Sequence, residues 1–152
     1  MLTVETPRDL LAKIGSDLGA SDWVEITQQK INAFAEATGD YQWIHVDVER
    51  AKTALPGGTT IAHGYLSLAL IAGLMPQLLR IEKTSATLNY GSNKVRFTAP
   101  VPVGSRLRLT STLAKVAPLG EKDVRVTFAS VMELEGSDRP ALIVENLTQI
   151  MG

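Results

Sequence analysis

His63-Gly64-Tyr65-Leu66-Ser67-Leu68-Ala69-Leu70-Ile71-Ala72-Gly73-Leu74-Met75-Pro76-Gln77-Leu78-Leu79 is the stretch on which the fold turns. Apolar side chains recur at Leu66, Leu68, Leu70, Ile71, Leu74 and Met75, so nearly every direction around a helix carries one. A helix without a polar face is surrounded by protein on most sides. The run from Tyr65 to Leu79 is shorter than the ~18–20 residues needed to cross a bilayer. The spacing therefore predicts a buried core helix over about 63–79, with Pro76 kinking it or opening a new turn. It indicates neither a membrane span nor a surface anchor.

The chain changes character after this helix. Thr84–Tyr90, Lys94–Thr98, Arg106–Val116, Asp123–Glu135 and Ala141–Met151 read as strands. Turn signals separate them at Gly91-Ser92, Pro102-Val103-Gly104, Pro118-Leu119-Gly120 and Gly136-Ser137-Asp138. Val124, Val126, Phe128 and Met132 alternate with Arg125, Thr127 and Glu133, the pattern of an antiparallel sheet covered on one face. One buried helix followed by long antiparallel strands predicts an α+β fold, a sheet curled around a central helix.

Before the helix, Thr6 and Pro7 open a short amphipathic helix to about Leu18, so residues 1–20 read as a helical extension of a single domain covering 1–152. Asp22 to Ile26 is a strand candidate. Thr27 caps a second helix over about Gln28–Thr38, with Ile31, Phe34 and Ala35 at helical spacing, and Gly39 ends it in the left-handed conformation that glycine accepts. Asp40 to Thr60 reads as mostly irregular, broken by Pro56-Gly57-Gly58, with a helical turn at Val48–Thr53 that Asp47 is placed to cap.

Composition narrows the function. Hydrophobic residues make up 45% and charged residues 20%, which argues against disorder. Lys+Arg is 15 against Asp+Glu 16, a net charge of -1, so no basic surplus exists to neutralise a phosphate backbone and no nucleic-acid partner is expected. Cysteine is absent, which excludes disulfides, Cys-ligated zinc and thiol nucleophiles, and suits a reducing compartment. The N-terminus lacks a basic segment followed by a long apolar one, so no signal peptide is read and a cytoplasmic location is expected.

Both histidines, His45 and His63, lie in the loop that leads into the apolar helix. Asp40 stands five residues before His45. On a helix that separation turns side chains about 140° apart, and on a strand it sends them to opposite faces. They share a substrate only if the chain bends between them, which Gly39 and Tyr41-Gln42-Trp43-Ile44 permit. A carboxylate and an imidazole converging on one water form a general acid/base pair. Gly64 begins the helix, where the first N–H groups have no internal acceptor and the dipole favours negative charge, so a developing oxyanion would be stabilised there. Each residue has a plainer reading. Asp40 after a glycine serves as a turn-former, His45 as a hydrogen-bonded loop residue, and His63 as a group that bonds backbone near the helix start. Tyr41 and Trp43 read as packing residues. Lys94 and Arg96 share one strand face, either solvated or set to meet the phosphates of a ligand, and the same two readings hold for Arg106 and Arg108.

The stretch Phe34-Ala35-Glu36-Ala37-Thr38-Gly39-Asp40-Tyr41-Gln42-Trp43-Ile44-His45-Val46-Asp47, with Glu49-Arg50-Ala51 after it, resembles the hydratase signature of MaoC-like proteins, the (R)-specific enoyl-CoA hydratase family. Thr60-Ile61-Ala62-His63-Gly64 looks like that family's Ala-His-Gly segment, and Lys94 to Gly104 is similar to its strand and turn after the helix. The resemblance covers roughly residues 20 to 150. It implies a hot-dog fold, a homodimer whose sheets join edge to edge, and a coenzyme A or carrier-protein thioester as substrate. It implies that Asp40 and His45 are the catalytic pair and Gly64 the oxyanion donor; His63 and Gln42 are read as candidate substrate contacts beside them, and the strand face of Lys94 and Arg96 as a candidate contact for coenzyme A phosphates. The expected reaction is reversible syn hydration of a 2-enoyl thioester in fatty-acid metabolism, with no metal or redox cofactor. The sequence departs from the family's usual Asn-Pro at Gln42-Trp43, where the amide sits on a longer arm and the turn loses its proline. Gln-Trp is the look of a nodulation-protein-N-like branch.

Two rivals bear on this expectation. Hot-dog thioesterases carry an acid on or beside the central helix, and no Asp or Glu lies between Tyr65 and Leu79. The Gln42-Trp43 departure leaves room for a non-catalytic or partner-dependent acyl-thioester-binding subunit.

Overall fold

The computed structural model describes all 152 residues. Strand β1 (Leu2–Val4) leads into a 3-10 helix over Pro7–Lys13, then β2 (Asp17–Ala20) and β3 (Val24–Glu25). Helix α1 (Gln28–Thr38) is followed by two short helices, α2 (Trp43–Val46) and α3 (Val48–Ala54), and then by the central helix α4 (Gly64–Leu74). A 3-10 turn at Met75–Gln77 joins α4 to β4 (Leu79–Ile81), and β5 (Ala86–Phe97), β6 (Arg106–Leu119), β7 (Asp123–Leu134) and β8 (Leu142–Met151) complete the chain.

The sheet runs β2-β6-β7-β8-β5, and β3 pairs with the far end of β6. All of these pairings are antiparallel. Its inner face is apolar at alternate positions (Leu107, Leu109 and Leu113 on β6, Val126, Phe128 and Met132 on β7, Leu142 and Val144 on β8) and packs with Leu66, Ile71 and Leu74 of α4 in one continuous core. Period-two burial along β7 matches the alternation in the sequence: Val124, Val126, Phe128 and Met132 are buried, and Arg125, Thr127 and Glu133 are not. The arrangement is the sheet curled around a central helix that the strand run predicts, and the hot-dog fold that the resemblance implies.

Four expectations change. Residues 1–20 are not a helical extension. Only Pro7–Lys13 is helical, in 3-10 form, while β1 pairs in parallel with β4 and β2 lies on β6, so the segment is built into the body. Leu10 and Leu18 are wholly or almost wholly buried, which is the reason it cannot stand apart. The region Asp40–Thr60 is more helical than its glycines and proline suggest, because Asp47 accepts from the Arg50 N–H at 3.0 Å and so starts α3. Helix α4 stops at Leu74, since Pro76 allows only the 3-10 turn after it, and Leu79 already belongs to β4. Gly91-Ser92 is not a turn. β5 runs through it as one strand along β8, with its register shifting between Asn89 and Gly91 and between Ser92 and Lys94. A glycine inside a strand marks a bulge as readily as a turn.

Helix α4 is also less enclosed than its composition implies. Tyr65, Ala69, Ala72 and Gly73 form an open stripe, and the facing strand β5 is exposed along almost its whole length. The gap between this stripe and the inner face of β5 and β8 holds the clefts described below.

Candidate active site

The chain bends sharply where α1 ends. Gly39 closes the helix in the left-handed conformation, φ 76°, with its N–H bonded to the Ala35 carbonyl. Asp40 follows, and its Oδ1 accepts from the Gln42 N–H at 3.3 Å, so it is a turn-former as well as a candidate acid. Its side chain remains 53% exposed. One turn of α2 then brings His45 back beneath it.

His45 is 7% exposed. Its Nδ1 lies 2.7 Å from the Ile61 carbonyl, and a carbonyl only accepts, so Nδ1 carries a proton and Nε2 is the ring nitrogen left to face a substrate or water. His63, 3% exposed, caps the start of α4, and its Nε2 donates to the backbone carbonyl of Asp40 at 2.9 Å. The same nitrogen is 3.9 Å from Asp40 Oδ2. The two imidazoles stack with centroids 3.8 Å apart, and Phe34 packs on His63 at 5.0 Å. One polar atom from each of Asp40, His45 and His63 lies within 4.8 Å of the others. The trio has the donor types of a metal site; within the chain, His45 Nδ1 and His63 Nε2 are each taken by a backbone carbonyl.

Gly64 is the first residue of α4, so its N–H has no acceptor within the helix. The flanking loop bonds use Ala62 N–H, to Val101 at 2.8 Å, and Leu66 N–H, to His63 at 3.0 Å. A Cβ at position 64 would lie 2.9 Å from the Phe97 ring, so glycine here is a packing requirement as well as an opening for a ligand. His45, Gly64, Tyr65, Ser67 and Phe97 line one cleft of about 320 Å³, and Asp40, Phe34, Tyr65 and Leu68 line a second of about 380 Å³. Tyr65, 68% exposed and edge-on to Phe97 at 5.5 Å, stands between the two.

The sequence-derived residues divide here. Asp40, His45, His63 and Gly64 come together. Gln42 contributes its backbone to the turn, while its side chain is exposed and makes no hydrogen bond within the chain. Lys94 and Arg96 do not join the cluster within one chain. They stand opposite Glu145 and Ile143, on the outer face, whereas their neighbours Val95 and Phe97 face α4. Lys94 pairs with Glu145 at 3.7 Å. Arg106 and Arg108 pair with Glu135 and Glu133 on the outer face. Trp43 packs under the Arg50 guanidinium at 4.0 Å, as a packing residue should.

Sequence reasoning missed Gln28. Its Nε2 donates to the His45 carbonyl at 2.8 Å and to Asn32 Oδ1 at 2.9 Å, while its Oε1 accepts from the Thr60 hydroxyl at 2.5 Å. One amide thereby ties the His45 helix to the strand-like segment whose Ile61 carbonyl sets the His45 tautomer. Glutamine in a helix's first turn is common, so no local signal marks it.

An antiparallel sheet curled on a central helix, with a carboxylate and two imidazoles gathered at that helix's start, defines a hot-dog protein with a candidate site there. Residues 9–133 match the family model described as MaoC like domain, and the chain belongs to this MaoC-like dehydratase family. It is 52% identical over 149 residues to 3-hydroxyacyl-thioester dehydratase Z of Mycobacterium tuberculosis, covering 98% of both chains. It is 39% identical to Nodulation protein N of Rhizobium leguminosarum, covering 93% of this chain and 89% of that one. Among solved structures, R-Hydratase PhaJ1 from Pseudomonas aeruginosa superimposes with a TM-score of 0.66 at 25% identity, over 91% of this chain and 81% of that one. No helix is long and apolar enough to cross a membrane.

Proposed function

We propose that the chain catalyses reversible syn addition of water to a trans-2-enoyl thioester of coenzyme A or a carrier protein, giving the (R)-3-hydroxyacyl thioester. The observation that carries this reading is the convergence of Asp40 and His45 within 4.8 Å beside the start of α4. Its relatives named for 3-hydroxyacyl-thioester dehydration and (R)-hydration support the substrate class.

The substrate carbonyl accepts from the Gly64 N–H. A water sits between His45 Nε2 and the open Asp40 Oδ2. Its oxygen bonds to C3 as one of its protons passes to the pair, and the π electrons move toward C1, where the Gly64 N–H and the helix dipole hold the enolate oxygen. C2 then takes a proton from the same pair. Both transfers occur from one face, which makes the addition syn. The geometry leaves the roles of base and acid to the pair rather than to either residue alone. The thioester already acidifies C2, and the scheme uses no metal or redox cofactor.

A homodimer belongs to the same proposal. β5 pairs only with β8, leaving a long unpaired edge, and Leu88, Tyr90, Phe97 and Tyr65 are all exposed beside it. An uncovered strand edge with apolar neighbours calls for a covering partner. Lys94 and Arg96, which face away from the site in one chain, would meet coenzyme A phosphates only across such an interface.

Asp40→Asn and His45→Gln are each expected to lower crotonyl-CoA hydration by about 10²- to 10⁴-fold, the usual worth of a general acid or base, with unchanged circular dichroism. Near-normal turnover in either variant would remove the pair from the mechanism.

A further inference from the structure

Two adjacent clefts lie along the open side of α4. One, of about 290 Å³, begins at Leu68 and Ala69, which also border the Asp40 cleft. The other, of about 280 Å³, ends at Met75 and Pro76. They share Ile71 and Ala72 on the helix side and Asn89 and Asn146 on the sheet side. The helix wall is apolar, and the facing wall mixes Phe128 and Ile150 with a polar patch of Asn89, Asn146, Thr87 and Thr148.

Asn146 is held from behind. On the inner face of the sheet, Ser111 and Ser130, 3% and 1% exposed, bond to each other at 3.0 Å, and the Ser130 hydroxyl donates to Asn146 Oδ1 at 2.7 Å. That relay crosses three strands and fixes the amide so that its Nδ2 donors remain free at the clefts. No hydrogen bond within the chain uses Asn146 Nδ2 or the Asn89 side chain. Asn89 is exposed and Asn146 Nδ2 is open to solvent, so each donor can bond water until a ligand covers it, and a covering ligand keeps that bond only if it brings an acceptor.

We propose that this wall is a specificity element, and that the acyl chains it prefers carry an oxygen function, a hydroxyl or carbonyl, partway along the tail. This rests on the reading that a thioester binds at Gly64 and directs its tail along α4. Gly64 to Ala72 is about 12 Å along the helix axis at 1.5 Å per residue. An extended chain gains roughly 3.5 Å per three bonds, which sets the preferred oxygen about ten bonds from the carbonyl. A plain alkyl tail would bury the Asn146 donors unpaired. An oxygenated tail meets them.

Binding of saturated thioesters tests this independently of turnover. ω-Hydroxyacyl-CoAs of about eight to ten carbons are compared by calorimetry with the straight-chain acyl-CoA one carbon longer, in which a methyl replaces the hydroxyl. The protein should favour the hydroxylated chain roughly three- to tenfold at one length, the worth of a neutral hydrogen bond. In Asn146→Leu the ratio should invert, because a hydroxyl buried without a partner is penalised. In Ser130→Ala, which touches no ligand and only frees the amide to rotate, the ratio should fall toward unity. Preference for the methyl-ended chain in the natural protein, or a ratio that Asn146→Leu leaves unchanged, overturns the proposal. Failure of crotonyl-CoA hydration alongside a normal binding ratio would instead count against the reaction and leave the specificity wall standing.

Discussion

At the scale of single residues, the site depends on side chains that never meet substrate. Gln28 fastens the His45 carbonyl and Thr60 together, and both bonds are half-buried. Its truncation removes hydrogen bonds and strands the His45 carbonyl, so Gln28→Ala should destabilise the protein by about 1–3 kcal/mol in chemical denaturation. It should also lower kcat more than it raises KM, because it moves the His45 imidazole rather than the binding surface. Asp40, His45 and Gly64 were legible in the sequence because a glycine, an acid, an imidazole and a helix start lie within one short stretch. Gln28 was not, since its partners stand 17 and 32 residues away and nothing local distinguishes it from any exposed helix residue. His63 Nε2 donates to the Asp40 backbone carbonyl, the bond that its plainer, loop-ordering reading expects.

At the scale of elements, the start of α4 and the end of β5 are fitted to each other. Gly64→Ala would press a methyl into the Phe97 ring, and overpacking of this kind costs about 1–3 kcal/mol. Phe97→Ala opens that space, so in a double-mutant cycle by thermal melting the Gly64→Ala penalty should shrink when Phe97 is already alanine. Additive penalties would mean the two do not press on one another. The N-terminal 3-10 helix offers a second test. Asp9 accepts from the Thr6 N–H at 2.8 Å and the Thr6 hydroxyl at 3.0 Å, which hold its carboxyl below the ordinary value of 3.8. A depressed folded-state pKa contributes stability above the unfolded value and loses it as pH falls through the folded one. The melting difference between the natural protein and Asp9→Asn should therefore persist at neutral pH and close in strongly acidic buffer. Element types were readable from periodicity wherever one face was buried, as along β7. Ends and interruptions were not: Gly91-Ser92 has turn chemistry, and only the partner strand β8 makes it a bulge.

At the scale of the whole molecule, sequence patterning fixed the layer architecture but not what stays uncovered. The apolar helix suggested enclosure on all sides, yet Tyr65, Ala69 and Ala72 lie open beside β5, because composition reports hydrophobicity and not which neighbour supplies the cover. If a second copy covers the unpaired β5 edge, sedimentation equilibrium should give about twice the 16.4 kDa chain mass, and charged substitutions at Leu88 and Tyr90 should halve it. A monomer at micromolar concentration would leave the exposed edge unexplained.

The chemistry itself is tested most directly by incubating the purified chain with crotonyl-CoA in deuterium oxide and resolving the product by chiral chromatography and NMR. The acid–imidazole pair predicts (R)-3-hydroxybutyryl-CoA with one deuterium at C2, added to the same face as the oxygen. The (S) product, anti addition, or release of free coenzyme A without a hydroxyacyl product would contradict it.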